Sequence, residues 1–166
     1  MKPAIFKSFV SSMVIMWDDN FKQALYDGID PSDGYSPSDA SEALQEYFKE
    51  IMAGTKPSPS NAGVFYKIRN GALQLLSSKY KRDVNTILDA SFRIGVAKNR
   101  DYGTLNILRY GVIGIIVRIN DKIERVSNLM KDGNVAQVAD EKIEDTLMDM
   151  VNYATYGIML CNGIWV

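Results

Sequence analysis

Residues Arg118–Tyr156 read RINDKIERVSNLMKDGNVAQVADEKIEDTLMDMVNYATY. Two helical patterns flank a break at Lys131-Asp132-Gly133-Asn134. The first carries Arg118, Asp121, Lys122, Glu124 and Arg125, and the second Glu141, Glu144, Asp145, Asp149 and Asn152. A connection this short makes two helices antiparallel neighbours. Glu141, Asp145 and Asp149 are spaced i, i+4, i+8 and stack along one side of their helix. Like charges at that spacing weaken an isolated helix by a few tenths of a kcal/mol per pair. A divalent cation or facing arginines are the expected compensation.

Working outward, the other segments are also helical in pattern. Residues 4–26 carry apolar positions at mixed helical spacing and end at Asp27-Gly28. Ile29–Tyr35 is a loop by its turn residues. Ser36-Pro37-Ser38-Asp39 opens the next helix with a cap, a first-turn proline and an acid that can reach back; Gly54 closes it. The polar run Lys56–Asn61 is the candidate boundary between an N-terminal helical part, 1–58, and the rest. A helix follows over 62–80, with Gly71 a mild propensity cost. Asp83 or Asn85 caps another, running to about Lys98, and Asn99–Gly103 reads as a turn. Gly111–Val117 is β-branched enough for a buried strand. It runs without a breaker into a helical pattern, so a helix over 104–131 is expected, with Gly111 and Gly114 allowing close packing. Residues 138–160 form the last helix, with Ile143, Leu147, Met150, Val151, Ala154 and Ile158 facing the core. The expectation is one all-α domain, a helical bundle with a long antiparallel C-terminal pair. The apolar tail Tyr156–Val166 docks on the core or on a second subunit, so a homo-oligomer is expected.

Composition excludes several chemistries. The 166 residues include no histidine and one cysteine, Cys161. Histidine-dependent nucleophilic catalysis, most transition-metal sites and intrachain disulfides are thereby ruled out. Carboxylates, lysine, arginine and tyrosine must carry any chemistry, and a metal would be hard and oxygen-liganded, Mg²⁺ or Mn²⁺. The formal net charge of −1 gives no global pull toward nucleic acid or anionic membrane. The N-terminal run MKPAIFKSFVSSMVIMW is interrupted by Lys7 and followed by Asp18-Asp19, unlike a signal peptide. No stretch is apolar for long enough to span a bilayer. A soluble, cytoplasmic protein is expected.

If Asp121-x-x-Glu124 faces Glu141, Asp145 and Asp149, the carboxylates converge and need a cation. Such a site takes a nucleotide through its phosphates and can activate water. Arg118, Lys122 and Arg125 then neutralise phosphate, and Asn152 completes a ligand set or contacts a base. The plainer alternative is a solvated acidic face, with Arg118 and Arg125 paired to Glu141 or Asp145 at roughly 0–1 kcal/mol per bridge. In Lys98–Gly103, Arg100 can meet phosphate and Tyr102 can stack on a base, or the segment is an ordinary tight turn. Cys161 reads as a packed small hydrophobe.

Three linked motifs carry a family resemblance. They are Lys98-x-x-Asp101-Tyr102-Gly103, Gly114-x-x-x-Arg118-x-x-Asp121-Lys122-Ile123-x-Arg125, and Asp140-Glu141-x-x-x-Asp145-Thr146-Leu147-x-Asp149-x-x-Asn152-Tyr153-Ala154. Over about residues 95–158 the chain resembles the nucleotide-modification-associated domain found mainly in bacteriophage proteins. More distantly it is similar to all-α nucleotide pyrophosphohydrolases of the MazG and dUTPase type. Those hold Mg²⁺ with E-x-x-E on one helix and E-x-x-D on the next. Asp121-x-x-Glu124 stands for the first half; in the second, Glu141 and Asp145 are four apart. The resemblance implies a Mg²⁺-dependent (deoxy)nucleoside triphosphate pyrophosphohydrolase. In it Asp121, Glu124, Glu141, Asp145 and Asp149 hold metal, and Glu124 and Glu141 are the catalytic candidates that orient water. Arg100, Tyr102, Arg118, Lys122, Arg125 and Asn152 bind substrate. The alternative is a non-catalytic binder that sequesters a host nucleotide signal, working in the host cytoplasm if phage-encoded.

Overall fold

A computed structural model describes residues 3–131 and 142–165, with side chains from Ser11 onward. Among the described residues all regular structure is helical: α1 (Pro3–Tyr26), α2 (Pro37–Met52), α3 (Gly63–Ser78), α4 (Val84–Tyr102), α5 (Leu105–Leu108), α6 (Gly111–Met130) and α7 (Ile143–Cys161). Short 3-10 turns lie at Pro31–Asp33 and Pro59–Asn61. No described helix is long and apolar enough to cross a membrane.

The helix starts follow from local chemistry. Ser36 Oγ accepts the Asp39 N–H at 3.1 Å, Pro37 occupies the first turn, and α2 ends just before Gly54, whose φ is +107°. Asp83, not Asn85, caps α4, accepting the Thr86 N–H at 3.0 Å. That helix does not stop near Lys98. Nothing in Asn99-Arg100-Asp101-Tyr102 breaks it, so the expected turn is its last helical turn, and only Gly103, at φ +82°, ends it.

Gly111–Val117 is helical, as expected. The 104–131 segment is nevertheless two helices, because Gly111 adopts φ +56° between α5 and α6. The two glycines do not serve close helix packing. A Cβ at Gly111 would meet nothing within 4 Å, and one at Gly114 would meet only Tyr110 Cβ, at 2.9 Å.

α6 and α7 run antiparallel. Arg125 bonds Thr146, Lys122 pairs with Asp149, and Arg118 lies over Tyr153, so one helix ascends as the other descends. α7 is buried on far more than one side. Leu147, Met150, Val151, Ala154 and Ile158 are buried as expected, with Ile143 half-buried, but so are Thr146, Thr155, Tyr156, Gly157, Met159 and Cys161. Helices α1, α3, α4 and α6 all pack against it. Gly157 admits the Phe65 ring of α3, where a Cβ would sit 2.5 Å from the ring edge. The C-terminal tail folds back: Trp165 is 3% exposed, donates its indole N–H to the Thr104 carbonyl at 2.9 Å and packs edge-on against Trp17 and Tyr156. Cys161 is buried, and burial pushes its thiol pKa up, as suits a packing residue.

One buried cation secures the other end. Arg69 is fully buried, donates to the Ala24 carbonyl at 3.0 Å and stacks over Tyr66, which in turn donates to Asp27. Its neighbour Asn70 donates to the Gly28 carbonyl at 3.2 Å. α1 has no basic residue in its own last turn, so Arg69 supplies the positive charge its C-terminal carbonyls favour. Burial pulls the Arg69 pKa down to about 10, which leaves it charged at neutral pH. Next to it Gly71 is no mere propensity cost. A Cβ there would lie 2.0 Å from the Tyr35 carbonyl oxygen, while Gly34 approaches the Gly71 backbone equally closely. Gly71→Ala should therefore destabilise the protein by about 1–3 kcal/mol through overpacking. Helix propensity alone favours alanine by about 1 kcal/mol. Urea unfolding of the variant decides by its sign, and a gain in stability would refute the close approach.

Candidate functional site

The last turn of α4, the α5 segment, one stripe of α7 and the returning tail enclose a pocket of about 230 Å³. α7 contributes Asp149, Asn152, Tyr153 and Tyr156, spaced i, i+3, i+4, i+7, which places them on one face. α4 contributes Lys98, Asn99 and Tyr102, again one helical turn apart, and Gly103 ends the helix at the rim. Asn106, Ile107, Arg118 and Trp165 complete the lining.

Aromatic rings form much of the wall. Tyr156 meets Tyr153 at 6.1 Å and Trp165 at 5.1 Å between centroids, both edge-on. Tyr102 stands in solvent at 72% exposure. Burial, with Tyr153 and Asp149 nearby, pushes the Tyr156 phenol pKa up, so its hydroxyl stays protonated. The cations are arranged differently from one another. Asp149 is bridged by two ammonium groups, Lys98 at 3.2 Å on one oxygen and Lys122 at 3.2 Å on the other. The Arg118 guanidinium lies 5.8 Å from the Tyr153 centroid and makes no ion pair among the described residues.

Asn152 is 6% exposed and makes one bond, from Nδ2 to the Ser91 carbonyl at 3.0 Å. Its Oδ1 is buried with no hydrogen-bond partner among the described residues.

Of the substrate-binding candidates, Tyr102, Arg118 and Asn152 line this pocket, and Lys122 joins it through Asp149. Arg100 turns away to Asp18 of α1 at 2.5 Å. Arg125 donates to Thr146 Oγ1 and to the Lys142 carbonyl at the start of α7. The acids are dispersed. Asp121 and Glu124 are exposed on α6, and Glu144 pairs with Arg82. Asp145 is exposed and accepts the Lys142 backbone N–H at 3.4 Å, closing the first turn of α7. Glu141 lies outside the described residues. Among the described residues no three acidic or cysteine side chains come together as a metal site. The charge that offsets the α7 acids is supplied by Arg82 at Glu144, a backbone N–H at Asp145 and two lysines at Asp149.

Sequence reasoning gave no site role to Lys98, Asn99, Asn106, Tyr153, Tyr156 or Trp165. The stripe spacing of Asp149, Asn152, Tyr153 and Tyr156 was a usable signal, but the position of Trp165 depends on the tail folding back.

Residues 98–160 match a known family model, nucleotide modification associated domain 1. Every pocket residue except Trp165 falls inside this nucleotide-modification-associated segment. No curated protein and no solved structure matches the chain.

Because Asp145 sits where a helix start favours an acid, Asp145→Ala should lower the thermal midpoint, at a cost of about 0.3–1 kcal/mol. Ligand affinity should be unchanged. A higher midpoint would mean that repulsion within the acidic stripe outweighs the helix-start contact.

Proposed function

We propose that the pocket binds a nucleotide, with the base among Tyr102, Tyr153, Tyr156 and Trp165 and the phosphates toward Lys98, Arg118 and Lys122. The observation that carries this is an aromatic and amide-lined cavity with Lys98 and Arg118 in its wall and Lys122 joined through Asp149, all but Trp165 inside the segment that matches a nucleotide-modification-associated family. Aromatic faces stack on bases, and guanidinium and ammonium groups take phosphate. Pockets for drug-sized ligands usually span roughly 300–1,000 Å³. A smaller cavity suits a base and sugar, with charged phosphates left at a solvated mouth.

Binding without turnover is the form the geometry favours. Mg²⁺-dependent pyrophosphohydrolysis needs several carboxylates at one metal. Asp149 is already occupied by two lysines, and among the described residues no three acids come together to hold a metal. A nucleotide phosphate arriving at the pocket competes with Asp149 for Lys98 and Lys122. A protein that binds in this way acts by sequestering a nucleotide, whether a host signal or a precursor for modification.

Calorimetry with a panel of nucleotides tests the proposal. Affinity should fall as salt rises, as for a partly solvated phosphate site. Arg118→Ala should weaken binding by about tenfold or more, the size of a hydrogen bond to a charged group, and leave the thermal midpoint nearly unchanged. Asp149→Asn should strengthen binding, because it frees two lysines; a metal ligand at that position predicts loss instead. Absence of binding across the panel would sink the proposal. Nucleoside monophosphate and pyrophosphate appearing by chromatography with Mg²⁺ or Mn²⁺ would restore the hydrolytic reading.

A further inference from the structure

Four buried side-chain atoms have no hydrogen-bond partner among the described residues: Trp17 Nε1, Asp18 Oδ1, Ser91 Oγ and Asn152 Oδ1. Only Asn152 among them belongs to a residue that lines the pocket. Its orientation is settled by chemistry. The Ser91 carbonyl can only accept, so the amide must turn its NH₂ to Ser91 and its oxygen the other way. A buried amide oxygen left without a donor costs free energy in the empty protein. A ligand that brings an N–H to it recovers that cost, and a ligand without one does not.

We infer that Asn152 Oδ1 is the base-reading group of this pocket, accepting a hydrogen bond from an exocyclic amine or ring N–H on the edge of a nucleobase. The inference rests on the nucleotide-binding proposal and deepens it. Asn152 is fixed on α7 between Asp149 and Tyr153, with the buried Tyr156 one turn further on. A base held against those rings lies beside Asn152, whose rotamer is already set by Ser91 and whose closed-off Oδ1 it reaches once the surrounding side chains part slightly. Asn152 therefore selects by donor, in contrast to an asparagine with both amide atoms free, which reads a donor and an acceptor together. Sites built around a buried hydrogen-bonding group reject analogues that lack the matching group far more strongly than apolar pockets reject a missing methylene.

The test removes the donor from the ligand and leaves the protein intact. Calorimetry compares AMP with purine riboside monophosphate, CMP with pyrimidin-2-one riboside monophosphate, and UMP with 3-methyl-UMP. GMP is compared with IMP and with 1-methyl-GMP. For the base that binds best, loss of the donor should weaken binding about tenfold or more. In Asn152→Ala, checked for folding by circular dichroism, the same two ligands should bind within about twofold of each other. If Asn152→Ala does not fold, the near-isosteric Asn152→Leu, which also lacks the acceptor, takes its place in the same comparison. Nucleotides that bind equally well with and without the donor would overturn the role of Asn152 and leave the pocket a nucleotide site. A preference that survives in a folded Asn152→Ala would assign the donor to another residue and overturn it as well. If no nucleotide binds the wild type, both the inference and the proposal beneath it fall.

Discussion

Between Thr146 and Cys161, α7 turns almost no side chain to water. A helix so enclosed can carry polar groups only where another segment answers them. Thr155 returns its hydroxyl to the Val151 carbonyl within the helix, and Asn152 gives its NH₂ to Ser91 of α4. Asp149 lies where enclosure is incomplete and draws lysines from both α4 and α6. The pocket is the place where this enclosure is left open. It lies along one stripe of α7, bounded by the helices that cover the remaining faces.

Close approach to α7 is bought with small residues. Gly157 lets Phe65 of α3 lie against the helix backbone, and Gly95 of α4 lets Phe21 of α1 approach within the reach of a Cβ, 2.5 Å. Phe21 then stacks with Trp17 and Phe92 and meets Tyr156, so the aromatic cluster behind the pocket is continuous from α1 to the tail. A larger side chain at Gly95 would push Phe21 and, through it, the ring of Tyr156. The pocket wall is thus coupled by packing to α1, which contributes no residue to its lining.

Much of the fold was legible because it is written in local chemistry. Ser36, Pro37 and Asp83 mark helix starts, and the break after Met130 makes α6 and α7 antiparallel neighbours. What misled was the weight given to particular glycines and turns. Asn99–Gly103 looks like a turn by composition, yet of these residues only Gly103, at positive φ, ends the helix. Gly71 looks expendable until the loop carrying Tyr35 is laid across it. The buried Arg69 carried no sequence signal at all, because its purpose depends on the carbonyl end of α1, more than forty residues away in the chain. The site was half legible for the same reason. Arg118, Lys122, Asp149 and Asn152 announced themselves by helical spacing, whereas Trp165 reaches the pocket only through the tertiary course of the tail.

The acidic stripe of α7 shows how one pattern admits two chemistries. Carboxylates at i, i+4 need positive charge, and sequence alone does not say whether a metal or a lysine supplies it. At Asp149 it is Lys98 and Lys122, one per oxygen, which leaves the carboxylate's charge answered without a metal. At Asp145 the positive partner is the backbone N–H of Lys142 at the helix start. The consequence for function lies with the cations. Lysines drawn to a carboxylate are held beside the pocket, and in the nucleotide-binding proposal they would exchange that carboxylate for a phosphate. Arg118 stands beside them over Tyr153 and takes no part in the Asp149 pairing. A site so arranged holds its cations in place by an internal anion, which on the proposed function is also the competitor that an incoming phosphate would have to displace.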